Sequence, residues 1–107
     1  MTEMLNEEKF ETAVLKSQKP VMLDFSASWC APCRALSPVI DQLGTEFANR
    51  AGVYKLDVDE APRVADRFGI KSIPCVVFFE GGKEVGRVTG LASKAKLSAM
   101  LEAIIAH

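Results

Sequence analysis

The segment Val21-Met22-Leu23-Asp24-Phe25 constrains the fold more than any other stretch. It is a short apolar run containing one acid, closed on its N-terminal side by Lys19-Pro20. Such a run reads as a buried strand of the parallel-sheet kind, which needs cover on both faces. The rest of the chain supplies that cover. Asn6-Glu7-Glu8 has the form of a helix start, an N-cap followed by acids, and Phe10, Val14 and Leu15 then recur at helical spacing to about Ser17. From Ala35 to about Asn49, Leu36, Val39, Ile40, Leu43 and Phe47 trace a second helix, and Pro38 inside it predicts a kink. Gly52 opens a strand over Val53–Val58, and Pro62–Phe68 reads as a short helix with Gly69 beyond its end. Val76–Phe79 is a third strand. Glu80-Gly81-Gly82-Lys83 is a hairpin turn from which Glu84–Thr89 pairs back. Ser93 caps a last helix carrying Leu97, Met100, Leu101, Ile104 and Ile105, and Met1–Leu5 is a candidate edge strand. Strands alternating with helices imply right-handed crossovers and parallel pairing, whereas the closing hairpin must be antiparallel. The expectation is one α/β domain over residues 1–107, with a mixed central sheet of about five strands and about four helices on both faces.

Function classes can be pruned next. The chain is 49% apolar and 25% charged, a globular composition whose 107 residues can bury a core without disulfide staples. A net charge of −1 with no basic stripe argues against nucleic acid as a partner. No apolar run approaches the roughly 20 residues that cross a bilayer, so no membrane partner is expected. Met1–Glu8 has neither the basic nor the apolar region of a signal peptide, which makes a cytoplasmic monomer the expectation. Three cysteines, Cys30, Cys33 and Cys75, are an odd count that fits chemistry or metal better than a structural framework.

Trp29-Cys30-Ala31-Pro32-Cys33-Arg34 follows the Val21–Phe25 strand and precedes a helix, the place where open α/β sheets put their sites. Three readings stand. A zinc site needs four ligands, and here one pair, a lone Cys75 and a terminal His107 are on offer. Two inert core cysteines are a second possibility. The third is a redox pair, favoured because CxxC beside a βαβ pattern in a cytosolic chain has that meaning. Cys30, at or before the helix N-terminus, meets unpaired backbone donors and the helix dipole, which stabilise a thiolate. The spacing lets both sulfurs come within bonding reach, and Pro32 fits the first helical turn without losing a hydrogen bond. Cys30, nearer the exposed end, would attack; Cys33, one turn further in, would be shielded and resolve the mixed disulfide.

The chain resembles the thioredoxin family over essentially its whole length. The matching stretches are Asp24–Arg34, Pro38, Lys55-Leu56-Asp57-Val58-Asp59, Ile73-Pro74 and Gly90. The resemblance implies the thioredoxin fold, a cis peptide before Pro74, reduction of disulfides in target proteins, and a reductase that recharges the oxidised form. No bound cofactor is implied, because NADPH and flavin would serve only the recycling reductase. Two positions depart from the family's commonest pattern: Ala31 stands where glycine is usual, on the face meant for partners, and Cys75 stands where threonine usually follows the cis proline. A scaffold or binding subunit and a disulfide-forming oxidant are the alternatives; the intact pair argues against the first and the missing export signal against the second.

The remaining candidates support the pair. Asp24 inside an apolar strand reads as a buried carboxyl with a raised pKa, able to take the Cys33 proton, a role the resemblance favours. Lys55 lies on the neighbouring strand, where pairing with Asp24 is expected. Trp29 would form an apolar rim beside the thiol. By resemblance, Ile73 and Pro74 offer backbone to an extended target peptide, and Gly90 and Leu91 complete that groove with Ala31. Cys75 reads as a small buried hydrophobe.

Overall fold

The computed structural model describes residues 2–107. Among them, the chain runs β1 (Glu3–Leu5), α1 (Glu7–Phe10), a π-helical segment (Glu11–Leu15), β2 (Val21–Ser26), α2 (Ala31–Glu46), β3 (Gly52–Asp57), α3 (Pro62–Arg67), β4 (Cys75–Glu80), β5 (Lys83–Thr89) and α4 (Lys94–Ala106). The five strands form one sheet in the order β1-β3-β2-β4-β5. β1 and β2 each pair parallel with β3, while β4 pairs antiparallel with both β2 and β5. The expected mixed sheet is thus formed, with β1 as its edge; Met1, part of the expected edge strand, lies outside the described residues.

β2 is the hub. Val21 to Phe25 are all buried, as an apolar strand with neighbours on both sides must be. Its alternating side chains feed two cores. Val21, Leu23 and Phe25 pack with Phe10, Val14, Val64, Ala65 and Phe79 under α1 and α3. Met22 packs on the other face with Leu36, Ile40, Leu43, Phe78, Leu97 and Leu101 under α2 and α4. Asp24 shares the parity of Met22 and therefore faces α2.

Helix ends carry the expected caps. Asn6 Oδ1 accepts from the Lys9 N–H at 2.8 Å, and Ser93 Oγ from the Lys96 N–H at 3.1 Å. Two elements differ from the sequence reading. The first helix is one α turn and then a π turn, in which the Lys16 N–H reaches the Glu11 carbonyl at 3.0 Å. Its end abuts the β4–β5 turn at Gly82, φ +78°, where a Cβ would come within 2.5 Å of the Leu15 carbonyl oxygen. α2 starts at Ala31, as the placement of Cys30 and Pro32 at a helix start expects, and so ahead of Ala35, where the periodicity alone begins it, because its first turn of Ala31, Pro32 and Cys33 carries no hydrophobic stripe. It continues through Pro38 to Glu46.

Candidate active site

β2 ends at Ser26, and a turn through Ala27, Ser28 and Trp29 delivers Cys30 to the N-cap of α2. The Cys30 N–H donates to the Ala27 carbonyl at 3.2 Å, which closes the turn. Cys30 takes an extended backbone conformation, as N-caps do, and its Sγ accepts from the Cys33 N–H at 3.3 Å. Pro32 lies in the first helical turn, where no N–H is needed. Cys30 and Cys33 are joined as a disulfide across a Cα–Cα distance of 5.2 Å.

The sequence reading separates the two sulfurs by exposure; the structure does not. Cys30 is 4% exposed and Cys33 3%, both packed against Ala27, Val58 and Ile73. As N-cap, Cys30 tucks its sulfur under the helix's first turn, so it is covered as fully as its partner. What separates them is electrostatic. The Cys30 sulfur sits on a backbone N–H at the positive end of a 16-residue helix and lies 3.9 Å from the Ile73 carbonyl oxygen. Cys33 instead lines a cleft of about 170 Å³ together with Asp24, Ser37 and Lys55.

Around the pair, Trp29 is 67% exposed and its Nε1–H donates to Asp59 Oδ2 at 2.7 Å, which fixes the indole's orientation. Ala31 and Pro32 are exposed, Ile73 is half-buried, and Pro74 is buried with a cis peptide before it. The Gly90 N–H donates to the Pro74 carbonyl at 2.8 Å, joining the two loops expected to form the groove. Gly90 has φ +91°, which a side chain would strain, and Leu91 beside it is 62% exposed. Arg34 is turned back onto the Ser28 carbonyl at 2.9 Å. Cys75 is buried and unbridged, with its sulfur 3.7 Å from Thr89 Oγ1. Among the described residues no three His, Cys, Asp or Glu side chains gather as a metal site would need, and no helix is long and apolar enough to cross a membrane.

Asp24 is 1% exposed, and its Oδ1 has no hydrogen-bond partner among the described residues. Burial pushes its pKa from 3.8 up to about 7, with the positive charge of Lys55 opposing the rise. Lys55 stands beside Asp24 in the β2–β3 register, but the expected ion pair between them is not formed. The ammonium turns to α2, where it donates to Ser37 Oγ and pairs with Asp41 Oδ1 at 3.0 Å. Asp41 also accepts from Thr2 Oγ1 at 2.5 Å and from the Thr2 N–H at 3.3 Å. These hydrogen bonds, Thr2's first and then Lys55's, hold its carboxyl below the usual carboxylate range. The sequence reading gives Thr2, Ser37, Asp41 and Asp59 no role at the site. For two of them a signal existed: Cys33, Ser37 and Asp41 are spaced by four along α2 and fall along one side of the helix.

Comparisons with known proteins agree with this geometry. The thioredoxin family model matches residues 1–103. A chloroplastic M-type thioredoxin of Pisum sativum is 42% identical over 103 residues, 96% of this chain and 60% of the relative. Thioredoxins of Acidithiobacillus ferridurans and Synechocystis sp. are each 40% identical, covering 92% and 94% of this chain and 91% and 94% of theirs. The chain therefore spans three fifths of the chloroplastic relative's length and nearly all of the bacterial ones.

Proposed function

The chain belongs to the thioredoxin family, and on that premise we propose that it reduces disulfides in other proteins and is recycled by a thioredoxin reductase, which would supply electrons from NADPH through its own flavin. The observation that carries this reading is the Cys30–Cys33 pair at the start of α2, with the Cys30 sulfur on a backbone N–H. In the reduced protein the same N–H and the helix dipole favour Cys30 as thiolate; a charge so placed gains roughly 0.3–1 kcal/mol from the dipole, and up to about 2 kcal/mol when partly buried.

The Cys30 thiolate attacks one sulfur of a target disulfide; a Cys30–target bond forms, and the other target sulfur leaves as a thiolate. Asp24, as carboxylate, takes the Cys33 proton across the cleft they share, which is wide enough to admit water. The Cys33 thiolate then attacks the Cys30 sulfur, the Cys30–Cys33 bond forms, and the second target sulfur leaves with its electron pair. The target gains two electrons and two protons, one proton through Asp24 and one from solvent. A pKa near 7 suits Asp24 to both halves of that exchange at neutral pH. Trp29, Ala31, Ile73 and Leu91 would form the rim against which an extended target segment lies, with Pro32 holding the pair's turn and Pro74 and Gly90 shaping the groove. A free Cys75 thiol fits a compartment that keeps thiols reduced, and the cytoplasm is the location proposed, with the chain acting as a monomer.

The test is trapping. Reduced Cys33→Ser protein, mixed with a disulfide-bonded protein, should accumulate a mixed disulfide through Cys30, because nothing remains to resolve it. Mass mapping that finds no adduct, or an adduct through Cys75, would sink the assignment.

A further inference from the structure

Lys55 raises a question the proposed mechanism leaves open. Its side chain is only 14% exposed, and it stands beside an acid that has, among the described residues, no partner on one oxygen. Attraction alone would draw the ammonium onto that acid and hold it as a carboxylate. Instead α2 captures it. Ser37 and Asp41, one helical turn apart, present a hydroxyl and a carboxylate to the ammonium, and Thr2 donates two hydrogen bonds to Oδ1, the same Asp41 oxygen that the ammonium meets. Cys33 lies one turn before Ser37 along the same side of the helix. Sulfur, acid and lysine thus border one cleft, with the lysine's charge tethered away from the acid.

The other groups facing Asp24 do not replace that control. From β3 there is Asp57, whose Oδ1 accepts the Asp59 N–H at 2.8 Å, and from α2 Arg34, which is committed to the Ser28 carbonyl. Met4 on β1 and Val76, the β4 partner of Asp24, are apolar. Among the described residues, Lys55 is therefore the cation near Asp24 whose position a neighbouring carboxylate decides.

We propose that Asp41, assisted by Ser37, is a positioning residue for the resolving step: it anchors Lys55 on α2, keeps the ammonium from closing on Asp24, and so sets the pH at which Asp24 exchanges its proton. Asp41 touches neither sulfur nor target and acts only through Lys55. The inference deepens the role given to Asp24 above and rests on it.

Two readouts keep the failures apart. The first is the titration midpoint of the Asp24 carboxyl by carbon NMR, in wild type, Asp41→Asn, Asp41→Glu, Lys55→Met and Asp41→Asn/Lys55→Met. Asp41→Asn keeps the shape and the Thr2 contacts but removes the charge that holds the ammonium, so the midpoint should fall by about one pH unit or more, the usual effect of a cation closing on a carboxyl. Asp41→Glu should restore most of it. In the Lys55→Met background the same Asn substitution should move the midpoint by less than a third as much, because the coupling runs through the lysine. An unchanged midpoint in Asp41→Asn, or an equal shift with and without Lys55, would overturn the anchor. The second readout is the pH profile of target release from the pre-formed mixed disulfide. If the midpoint moves as stated and the release profile moves with it, anchor and proton acceptor both stand. A moved midpoint with an unmoved release profile overturns Asp24 as the acceptor, and with it Asp41's part in resolution, while leaving the lysine tether measured.

Discussion

Asp24 on β2 and Asp41 on α2 have Lys55 as a common neighbour, yet their carboxyls are pushed in opposite directions. Asp41 is partly exposed, meets the ammonium at 3.0 Å and accepts two bonds from Thr2. Its hydrogen bonds, Thr2's above all, and the ammonium favour the charged form and outweigh the partial desolvation that opposes it. Asp24 stands beside the same lysine in the sheet register but is enclosed, with one oxygen unpartnered. There desolvation outweighs the cation and the proton is retained to about pH 7. A nearby opposite charge therefore does not decide ionisation by itself; hydrogen bonds to the charged form and access to water decide how much of that charge is felt.

The contrast has a thermodynamic signature. For Asp24 the folded pKa lies above the unfolded one, so between about pH 4 and 7 the native state holds a proton that the unfolded chain has released. Stability falls as pH rises through that window and is flat above it. For Asp41 the folded pKa is lowered. Its contribution is present above the unfolded pKa and is lost as pH falls through the folded one.

The sharpest way to break the comparison is Asp24→Asn. A shift from 3.8 to about 7 corresponds to about 4 kcal/mol at most. The variant should gain roughly 2–4 kcal/mol at pH 8, less at pH 6 and almost nothing at about pH 3, where the acid is mostly neutral in both states. Urea unfolding at those three pH values checks this, and a gain independent of pH would mean that the buried charge is not what Asp24 costs. A smaller effect should come from Lys55→Met. Losing the cation should move the Asp24 midpoint further up, by about a unit or less, while Asp41 keeps its Thr2 bonds. An unmoved midpoint by NMR titration would show that the lysine is not felt at Asp24. The smallest is Ser37→Ala. Asp41 still holds the ammonium, so only about 0.5–1 kcal/mol should be lost in urea unfolding. A loss above about 2 kcal/mol would make Ser37, and not Asp41, the main anchor.

Much of this could be read from the chain itself. The strands announce themselves as apolar runs, Val21–Phe25 above all, and the caps Asn6 and Ser93 fall where their spacing puts them. The Cys30–Cys33 pair and the enclosed Asp24 were legible because a helix start and an acid in an apolar strand each have one dominant physical meaning. The π turn after Phe10 was not, because its apolar positions also satisfy an ordinary helix and only the hydrogen-bond register differs. The equal burial of the two cysteines was hidden too, since it depends on Ile73 and Val58 arriving from distant loops. The Lys55 tether was missed for a different reason. Adjacent strands suggest the Asp24 pairing, whereas the winning partners, Ser37 and Asp41, come from a helix packed across the sheet, a proximity that strand order does not reveal.

The complete enclosure of β2 has a consequence for what the site can accept. The pair and its turn are fastened to β2, whose residues from Val21 to Phe25 all sit in the interior, between two cores. Such a platform has little freedom left to lose on association. The entropy of forming an encounter must then be borne by the partner, at about 1–2 kcal/mol for each backbone residue it orders. Selection should therefore favour partners whose disulfide lies in a short segment already extended or easily drawn out. A bridge locked inside a folded core would be turned away by its own rigidity, whatever its chemistry.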